Sequence, residues 1–315
     1  MDPDYFRSYE MCWGTLGTMR PFSNFHPDRD AIEIQAALEK KDALTLVRIL
    51  TNRNNAQRQV ITKTFEEMTQ KDLTTSLKKA LSGDLESLLC ELLMPPLQYE
   101  AHRLQQAMAG LGTDEETLLE ILCTRSGEQL QEISAAYTQL YKKDLEKELK
   151  GETSGDFAKL VSALLNKESV ASAVQRDIQT LMASLNEKKA DPGPWIDILT
   201  SRDTDHLDKV LMRLELESGQ LTDQVVQKRF TGDTQLGMKV LVQCIQEPYV
   251  YLAKRLTTMK APIVQGIMVS HCEEDLLCIR VAYKKLTGTS LYTALQNKFK
   301  GDYLQALLGV CRSED

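Results

Sequence analysis

The chain contains one unit repeated four times. The first landmark is a five-residue segment, Ile-Leu-Thr-Asn-Arg in its first copy, which begins at Ile49, Ile121, Ile198 and Ile267. The second landmark is a Gly-Asp pair, which begins at Gly83, Gly155, Gly232 and Gly301. Successive copies of both landmarks lie 72, 77 and 69 residues apart. Two landmarks that shift together indicate internal repeats, so the copies can be aligned with one another.

Composition narrows the class of protein. The 315 residues are 42% hydrophobic and include only nine prolines, which favours a helical protein with a sizeable core. The net charge of −7 and the lack of a dominant basic cluster argue against nucleic acid as the default partner. The sequence shows no secretory signal and no apolar run of the roughly 20 residues that cross a bilayer. The seven cysteines show no zinc spacing, so we expect reduced, mostly buried thiols in a cytoplasmic protein.

The second repeat shows its helices most clearly. Gly110-Leu111-Gly112 interrupts an apolar helical stripe, and Thr113 followed by Glu116 predicts a capping box at the next helix start. Further helices follow, and Asp156 is predicted to cap the fifth. Five short helices in each of four repeats predict an all-α fold.

Two segments of the second repeat carry a family resemblance. Met108-Ala-Gly-Leu-Gly-Thr-Asp-Glu115, followed by Gly151-Glu-Thr-Ser-Gly155, resembles the annexin family, and the likeness extends from about Phe25 to Cys311. It implies an annexin-like array of four repeats, five short helices each, forming a curved disc that binds anionic phospholipid through calcium on its convex face. The corresponding division is an N-terminal tail of residues 1–24 and repeats at 25–95, 96–167, 168–247 and 248–315.

The resemblance also implies calcium ligands. Met108, Gly110 and Gly112 would offer backbone carbonyls, and Glu152 would add a bidentate carboxylate, with positions left for water or a lipid phosphoryl oxygen. Such a set suits calcium, a hard cation that takes six to eight oxygen ligands. Thr113 and Glu115 match a weaker secondary calcium site. The alternative is that both loops merely end helices.

The other three repeats lack this pattern. Leu38–Ala43, Lys188–Asp191 and Met259–Ile263 replace the glycine loop. Three residues before each Gly-Asp pair, where the second repeat has Glu152, stand Ala80, Arg229 and Lys298. A cation at the carboxylate position repels calcium, and alanine offers no ligand. We therefore expect a single intact main calcium site.

Cations in the degenerate loops suggest a second mode of membrane contact. A lysine near an anionic membrane surface contributes about 1 kcal/mol to binding. We predict lipid contacts from Lys40, Lys41, Lys188, Lys189, Arg229, Lys260 and Lys298. The alternative is that these are ordinary solvated side chains left after a site was lost.

The N-terminal tail could form an amphipathic helix. Phe6, Tyr9 and Trp13 recur at helical spacing. Some annexins use such a tail to bind a small EF-hand protein, which makes that a candidate partner, and the alternative is packing of the tail on the disc. Cys244 and Cys311 match positions that form a disulfide in some annexins, with two buried thiols as the alternative.

The sequence does not favour an enzyme. None of the four histidines has metal-ligand spacing, and neither a nucleophile elbow nor a P-loop is present. Two functions remain. One is calcium-dependent binding to anionic membranes through the second repeat, and the other is a largely calcium-independent membrane or protein scaffold.

Overall fold

A computed structural model describes residues 17–110, 112–166, 174–186 and 190–312. Within these residues all regular secondary structure is helical, which confirms the all-α prediction. No helix among them is long and apolar enough to cross a membrane. The tail residues Phe6, Tyr9 and Trp13, and with them the predicted tail helix, lie outside the described residues.

The described helices group five to a repeat, as predicted. The first repeat has α1 Pro27–Lys40, α2 Ala43–Leu50, α3 Asn55–Thr69, α4 Leu73–Ala80 and α5 Gly83–Leu92. The second has α6 Pro96–Ala107, α7 Glu115–Thr124, α8 Gly127–Tyr141, α9 Leu145–Glu152 and α10 Gly155–Leu165. The third has α11 Val174–Asn186, α12 Gly193–Ser201, α13 Thr204–Ser218, α14 Thr222–Arg229 and α15 Gly232–Gln246. The fourth has α16 Pro248–Leu256, α17 Ala261–His271, α18 Leu276–Thr287, α19 Leu291–Lys298 and α20 Gly301–Cys311.

These helices form two compact units. One unit comprises the described residues of Met1–Tyr99 and Leu252–Asp315, and in it α20 packs on α2, α5 and α17. The other comprises Glu100–Tyr251, in which α15 packs on α7 and α10. The apolar stripe of α7 is buried as its periodicity predicts, with Leu118, Leu119 and Leu122 fully inaccessible to solvent.

Buried ion pairs explain the first landmark. In the first three repeats the arginine that ends the landmark reaches back to an acid in the first helix of its own repeat. The pairs are Arg53–Asp30 at 2.6 Å, Arg125–Glu100 at 2.6 Å and Arg202–Asp177 at 2.8 Å. Removing one partner of a buried pair costs about 3–5 kcal/mol where the other charge is left without a partner. The fourth repeat has His271 instead, which is buried and bonded to Asp275 at 2.6 Å, in agreement with a structural role for this histidine.

The second landmark opens the fifth helix of every repeat. Its four glycines have φ between 58° and 66°, a left-handed conformation that glycine adopts without steric cost. Each glycine follows an eight-residue fourth helix and two extended residues. The predicted side-chain cap by Asp156 is wrong, because Ser154 is the N-cap residue and Asp156 lies in the first turn.

The segment from the fourth helix to the Gly-Asp pair has the same length in all four repeats. The position that Glu152 occupies in the second repeat therefore has a structural equivalent in each of the others. Counting back three residues from each glycine reaches the last residue of the fourth helix. Those last residues are Ala80, Glu152, Arg229 and Lys298. The four residues that were compared by counting back from the Gly-Asp pairs therefore occupy equivalent positions in the structure.

Candidate calcium-binding site

In the second repeat a seven-residue loop joins α6 to α7. Gly110 has φ of 102° and Gly112 has φ of 93°, backbone conformations that strain residues with a side chain. Open space surrounds both glycines, and the amide of Asp114 closes the loop on the Ala107 carbonyl at 2.8 Å. No described residue donates a hydrogen bond to the carbonyl of Met108, Gly110 or Gly112. These oxygens remain available to an external ligand.

The helix after this loop is capped one residue later than predicted. Asp114, not Thr113, is the N-cap residue of α7, and its carboxylate accepts a hydrogen bond from the Thr117 amide at 3.0 Å. The predicted capping box between Thr113 and Glu116 is therefore wrong. A carboxylate is the stronger acceptor at a helix N-terminus because it is charged. The hydroxyl of Thr113 is left to make a different contact.

That contact brings the loop to Glu152. The Thr113 hydroxyl donates to Glu152 Oε2 at 3.3 Å and lies 3.5 Å from the Glu152 carbonyl oxygen. Glu152 ends α9, and its side chain is exposed. Thr153 secures this helix end by donating to the Leu149 carbonyl at 2.6 Å. The loop and the acidic residue therefore meet through the fold, although 39 residues separate Thr113 from Glu152.

This donor set fits a hard divalent cation. Several backbone carbonyls beside one exposed carboxylate are the oxygen ligands that calcium prefers. A cation here would also keep open positions on its solvent side, since Gly110, Gly112 and Glu152 are exposed. Glu115 is the first residue of α7 and half-buried, and with Thr113 it stays a predicted secondary site.

The first repeat uses the corresponding carbonyls internally. The amide of Asp42 closes its loop on Ala37, as that of Asp114 does on Ala107, but across five residues instead of seven. The amide of Lys41 donates to Leu38 at 3.3 Å, with Lys41 in a left-handed conformation at φ 53°. Ala80 ends α4 without an oxygen ligand. The Leu38 carbonyl, which follows the closing bond as Met108 does in the second repeat, is therefore already bonded, and the carboxylate position holds no side-chain oxygen.

A cavity of about 400 Å³ takes the place of the calcium loop in the first repeat. It lies between the end of α1 and the helix α4, and Ala80 lines it. Three lysines, Lys41, Lys71 and Lys79, also line it. Of these, only Lys41 is among the lipid contacts predicted from the sequence.

The third repeat fills the position of the calcium site with a cation of its own. Arg229 ends α14, and its Nη2 donates to the Ser184 carbonyl in α11 at 2.6 Å. A guanidinium thus contacts a carbonyl near the end of the repeat's first helix. This bond holds Arg229 in the protein, whereas the predicted lipid contact would need its charge at the surface. Lys188 and Lys189 lie outside the described residues.

The fourth repeat keeps two free cations near its short loop. Lys260 is the N-cap residue of α17 and Lys298 ends α19. Both side chains are exposed, and neither ammonium contacts a described residue through a hydrogen bond or ion pair. Lys40, at the end of α1 in the first repeat, is also exposed. Met259 has φ of 49° where the second repeat has a glycine loop, so the chain turns without a flexible residue.

Comparison with known proteins decides the family. The annexin family profile matches residues 29–92, 99–164 and 254–310, more than half of the chain. The chain belongs to the annexin family. Human annexin A9 is 36% identical over 96% of this chain and 92% of its own length. The structure of annexin III superposes with a TM-score of 0.91 at 33% identity, over 96% of this chain and 99% of that one.

A structure of chicken annexin V in complex with Zn²⁺ superposes with a TM-score of 0.88 at 34% identity, over 96% of this chain and 100% of that one. Annexins generally bind phospholipid in a calcium-dependent manner and are generally not enzymes. Membership of the family therefore indicates phospholipid binding in general. How this annexin binds a membrane has to be inferred from the residues at its four repeat sites.

Proposed function

We propose that this annexin binds anionic phospholipid membranes through one calcium ion held in its second repeat. Met108, Gly110 and Gly112 supply carbonyl oxygens, and Glu152 supplies a carboxylate. When bound, calcium attracts lipid phosphoryl oxygens that the acidic protein would otherwise repel. The protein would then be cytoplasmic and peripheral on membranes.

The contact between Thr113 and Glu152 carries this proposal. It brings the only carboxylate among the four equivalent positions against a loop whose carbonyls are unused by described residues. The structural alternative, in which both loops only end helices, gives no reason for this contact. The equivalent positions Ala80, Arg229 and Lys298 cannot ligate calcium, so the proposal assigns no main site to their repeats.

A single bridge has a consequence for affinity. Several weak bridges on one surface reinforce one another by raising the effective concentration, and one bridge lacks this gain. We therefore expect a higher calcium requirement than a protein with several intact sites would show. The exposed Lys40, Lys41, Lys260 and Lys298 would supplement the bridge with direct contacts that weaken as salt rises.

Sedimentation with phosphatidylserine vesicles across a calcium titration tests the proposal. Glu152→Gln removes the ligand charge while keeping the side-chain size. We expect the calcium requirement to rise by at least about tenfold, because loss of even an outer-shell partner of a metal site costs about 10–100-fold. Glu146→Gln is the matched control, since Glu146 lies on the same helix and pairs with Lys150.

Equal calcium dependence in wild type and Glu152→Gln would contradict the assigned site. Binding that ignores calcium in both proteins would instead favour the scaffold function. The three repeats without a calcium ligand are the observation that favours this second candidate.

A further inference from the structure

The cavity of the first repeat has the chemistry of an anion site. Lys41 lies at the end of α1, while Lys71 precedes α4 and Lys79 lies in its last turn. All three side chains are exposed, and their ammonium groups make no hydrogen bond or ion pair with a described residue. They converge on one cavity of about 400 Å³, within the size range of small-ligand sites.

The acids that line the same cavity are engaged elsewhere. Asp72 caps α4 by accepting from the Thr75 amide at 2.6 Å, and its hydrogen bonds with Thr75, the side-chain one foremost, lower the pKa of this carboxyl. Glu39 accepts from Gln35 Nε2 at 2.6 Å. A hydrogen bond from a neutral donor does not remove the charge of a carboxylate, so the cavity carries three ammonium groups against two carboxylates, an excess of one positive charge.

The comparison with the second repeat suggests what these charges bind. There, a carboxylate faces the ligand side, so an anionic headgroup needs a cation between itself and Glu152. Here, Ala80 removes the negative charge from the equivalent position, and the lysines place positive charge on the chain itself. An anion can therefore bind directly, without calcium.

We propose that this cavity binds the phosphomonoester of a lipid headgroup in the absence of calcium. This inference rests on the proposed membrane function and names the ligand of the first repeat. A phosphomonoester carries about −1.5 to −2 charges at neutral pH, against −1 for a phosphodiester, and a cavity with an excess of positive charge favours the larger negative charge. A lipid source is chosen over a free phosphate because the cavity replaces the loop that bridges to lipid in the second repeat.

Vesicles of phosphatidic acid test the proposal, since this lipid carries a phosphomonoester. Binding is measured by sedimentation in chelator at low salt, beside vesicles with an equal mole fraction of phosphatidylglycerol, a phosphodiester. The variant combines Lys41→Gln, Lys71→Gln and Lys79→Gln. Its control combines Lys254→Gln, Lys284→Gln and Lys285→Gln, which remove the same charge from exposed lysines outside the cavity.

We expect wild type and control to prefer phosphatidic acid, and the cavity variant to bind it roughly 100-fold more weakly, from about fivefold per lysine. Soluble glycerol phosphate should compete only at concentrations far above those of the lipid. Equal loss in both triple variants, equal binding to both lipids, or no binding by wild type in chelator would overturn the proposal. Competition by glycerol phosphate as strong as by the lipid would overturn the choice of a lipid source.

A parallel titration with calcium and phosphatidylserine separates this proposal from the calcium function. The cavity variant should still require calcium there, with its binding weakened only by the loss of the Lys41 contact, while Glu152→Gln should keep its binding to phosphatidic acid in chelator. If binding to phosphatidic acid in chelator fails, the calcium titration still tests the site at Glu152, and the reverse also holds. Thermal unfolding followed by circular dichroism verifies that each variant is folded.

Discussion

The first and second repeats carry opposite charges at equivalent places. The second has a carboxylate beside its loop, and the first has lysines. In the second, Thr113 and Glu152 hold an oxygen-lined loop whose carbonyls are unused by described residues. In the first, the closing hydrogen bond spans five residues instead of seven, the Leu38 carbonyl accepts from the Lys41 amide, and a cavity lined in part by lysines lies beside the loop. On the two proposals made above, the second repeat attracts an anion through calcium and the first attracts one through its own lysines.

The largest expected effect comes from making the second repeat resemble the fourth. Glu152→Lys replaces the ligand with a cation, so we expect the calcium requirement for binding phosphatidylserine vesicles to rise at least about 100-fold. The reciprocal Lys298→Glu should create no calcium site, because the fourth repeat lacks the glycine loop. A gain of calcium-dependent binding in Lys298→Glu would show that the carboxylate alone decides the site.

The third repeat offers a test on stability. Arg229→Ala leaves the Ser184 carbonyl without its charged donor, and we expect the free energy of unfolding to fall by about 1.5–3 kcal/mol. Lys298→Ala, at the equivalent position of the fourth repeat, removes an exposed ammonium and should change it by less than about 0.5 kcal/mol. Chemical denaturation of both variants measures the difference. Equal effects would mean that Arg229 is no more structural than Lys298.

A carboxylate introduced into the first repeat should not restore calcium binding. In Ala80→Glu the carbonyl of Leu38 remains bonded to the Lys41 amide and the loop still closes across five residues instead of seven, so we expect no oxygen cage to be completed. The new negative charge should weaken chelator-resistant binding to phosphatidic acid about fivefold. Ala80→Gln is the neutral control. Calcium uptake by Ala80→Glu, measured by calorimetry, would contradict the reason given for the loss of this site.

The smallest expected effect concerns the glycine loop. Gly112→Ala forces a side chain into φ of 93°, which should destabilise the protein by about 1–2 kcal/mol and tilt the ligand carbonyl, raising the calcium requirement a few-fold. Gly151→Ala is the control, because Gly151 is helical and surrounded by open space. It should stabilise the helix by about 0.5–1 kcal/mol. Thermal unfolding and vesicle binding report the two effects separately.

The sequence predicted the features that depend on local length. The fourth helix and the turn after it have the same number of residues in every repeat, so counting back from the Gly-Asp pair matched Glu152 with its equivalents in the other repeats, although the structure places Glu152 at the end of α9 and the sequence predicted a loop there. The all-α fold followed for the same reason, from helical periodicity and turn residues that act within a few positions. The annexin family itself followed from motifs whose spacing is fixed by this geometry.

Features that depend on distant contacts were not predicted. The cap of α7 moved from Thr113 to Asp114, while the Thr113 hydroxyl meets Glu152, 39 residues away. The role of Arg229 depends on a carbonyl 45 residues before it. Lys71 and Lys79 gained a candidate function only because α4 lies beside the end of α1. In the sequence, Lys71 and Lys79 belong to no motif that would distinguish them from other lysines.

The number of calcium ions bound to each chain on phosphatidylserine vesicles tests the central claim most directly. Equilibrium dialysis with radioactive calcium, corrected for calcium bound by vesicles alone, gives this number for wild type and Glu152→Gln. The account predicts one tightly held calcium ion in wild type and its loss in the variant, with any calcium at the Thr113 and Glu115 position appearing only at higher concentration. Two or more equally strong ions in wild type, or one that persists in Glu152→Gln, would contradict it.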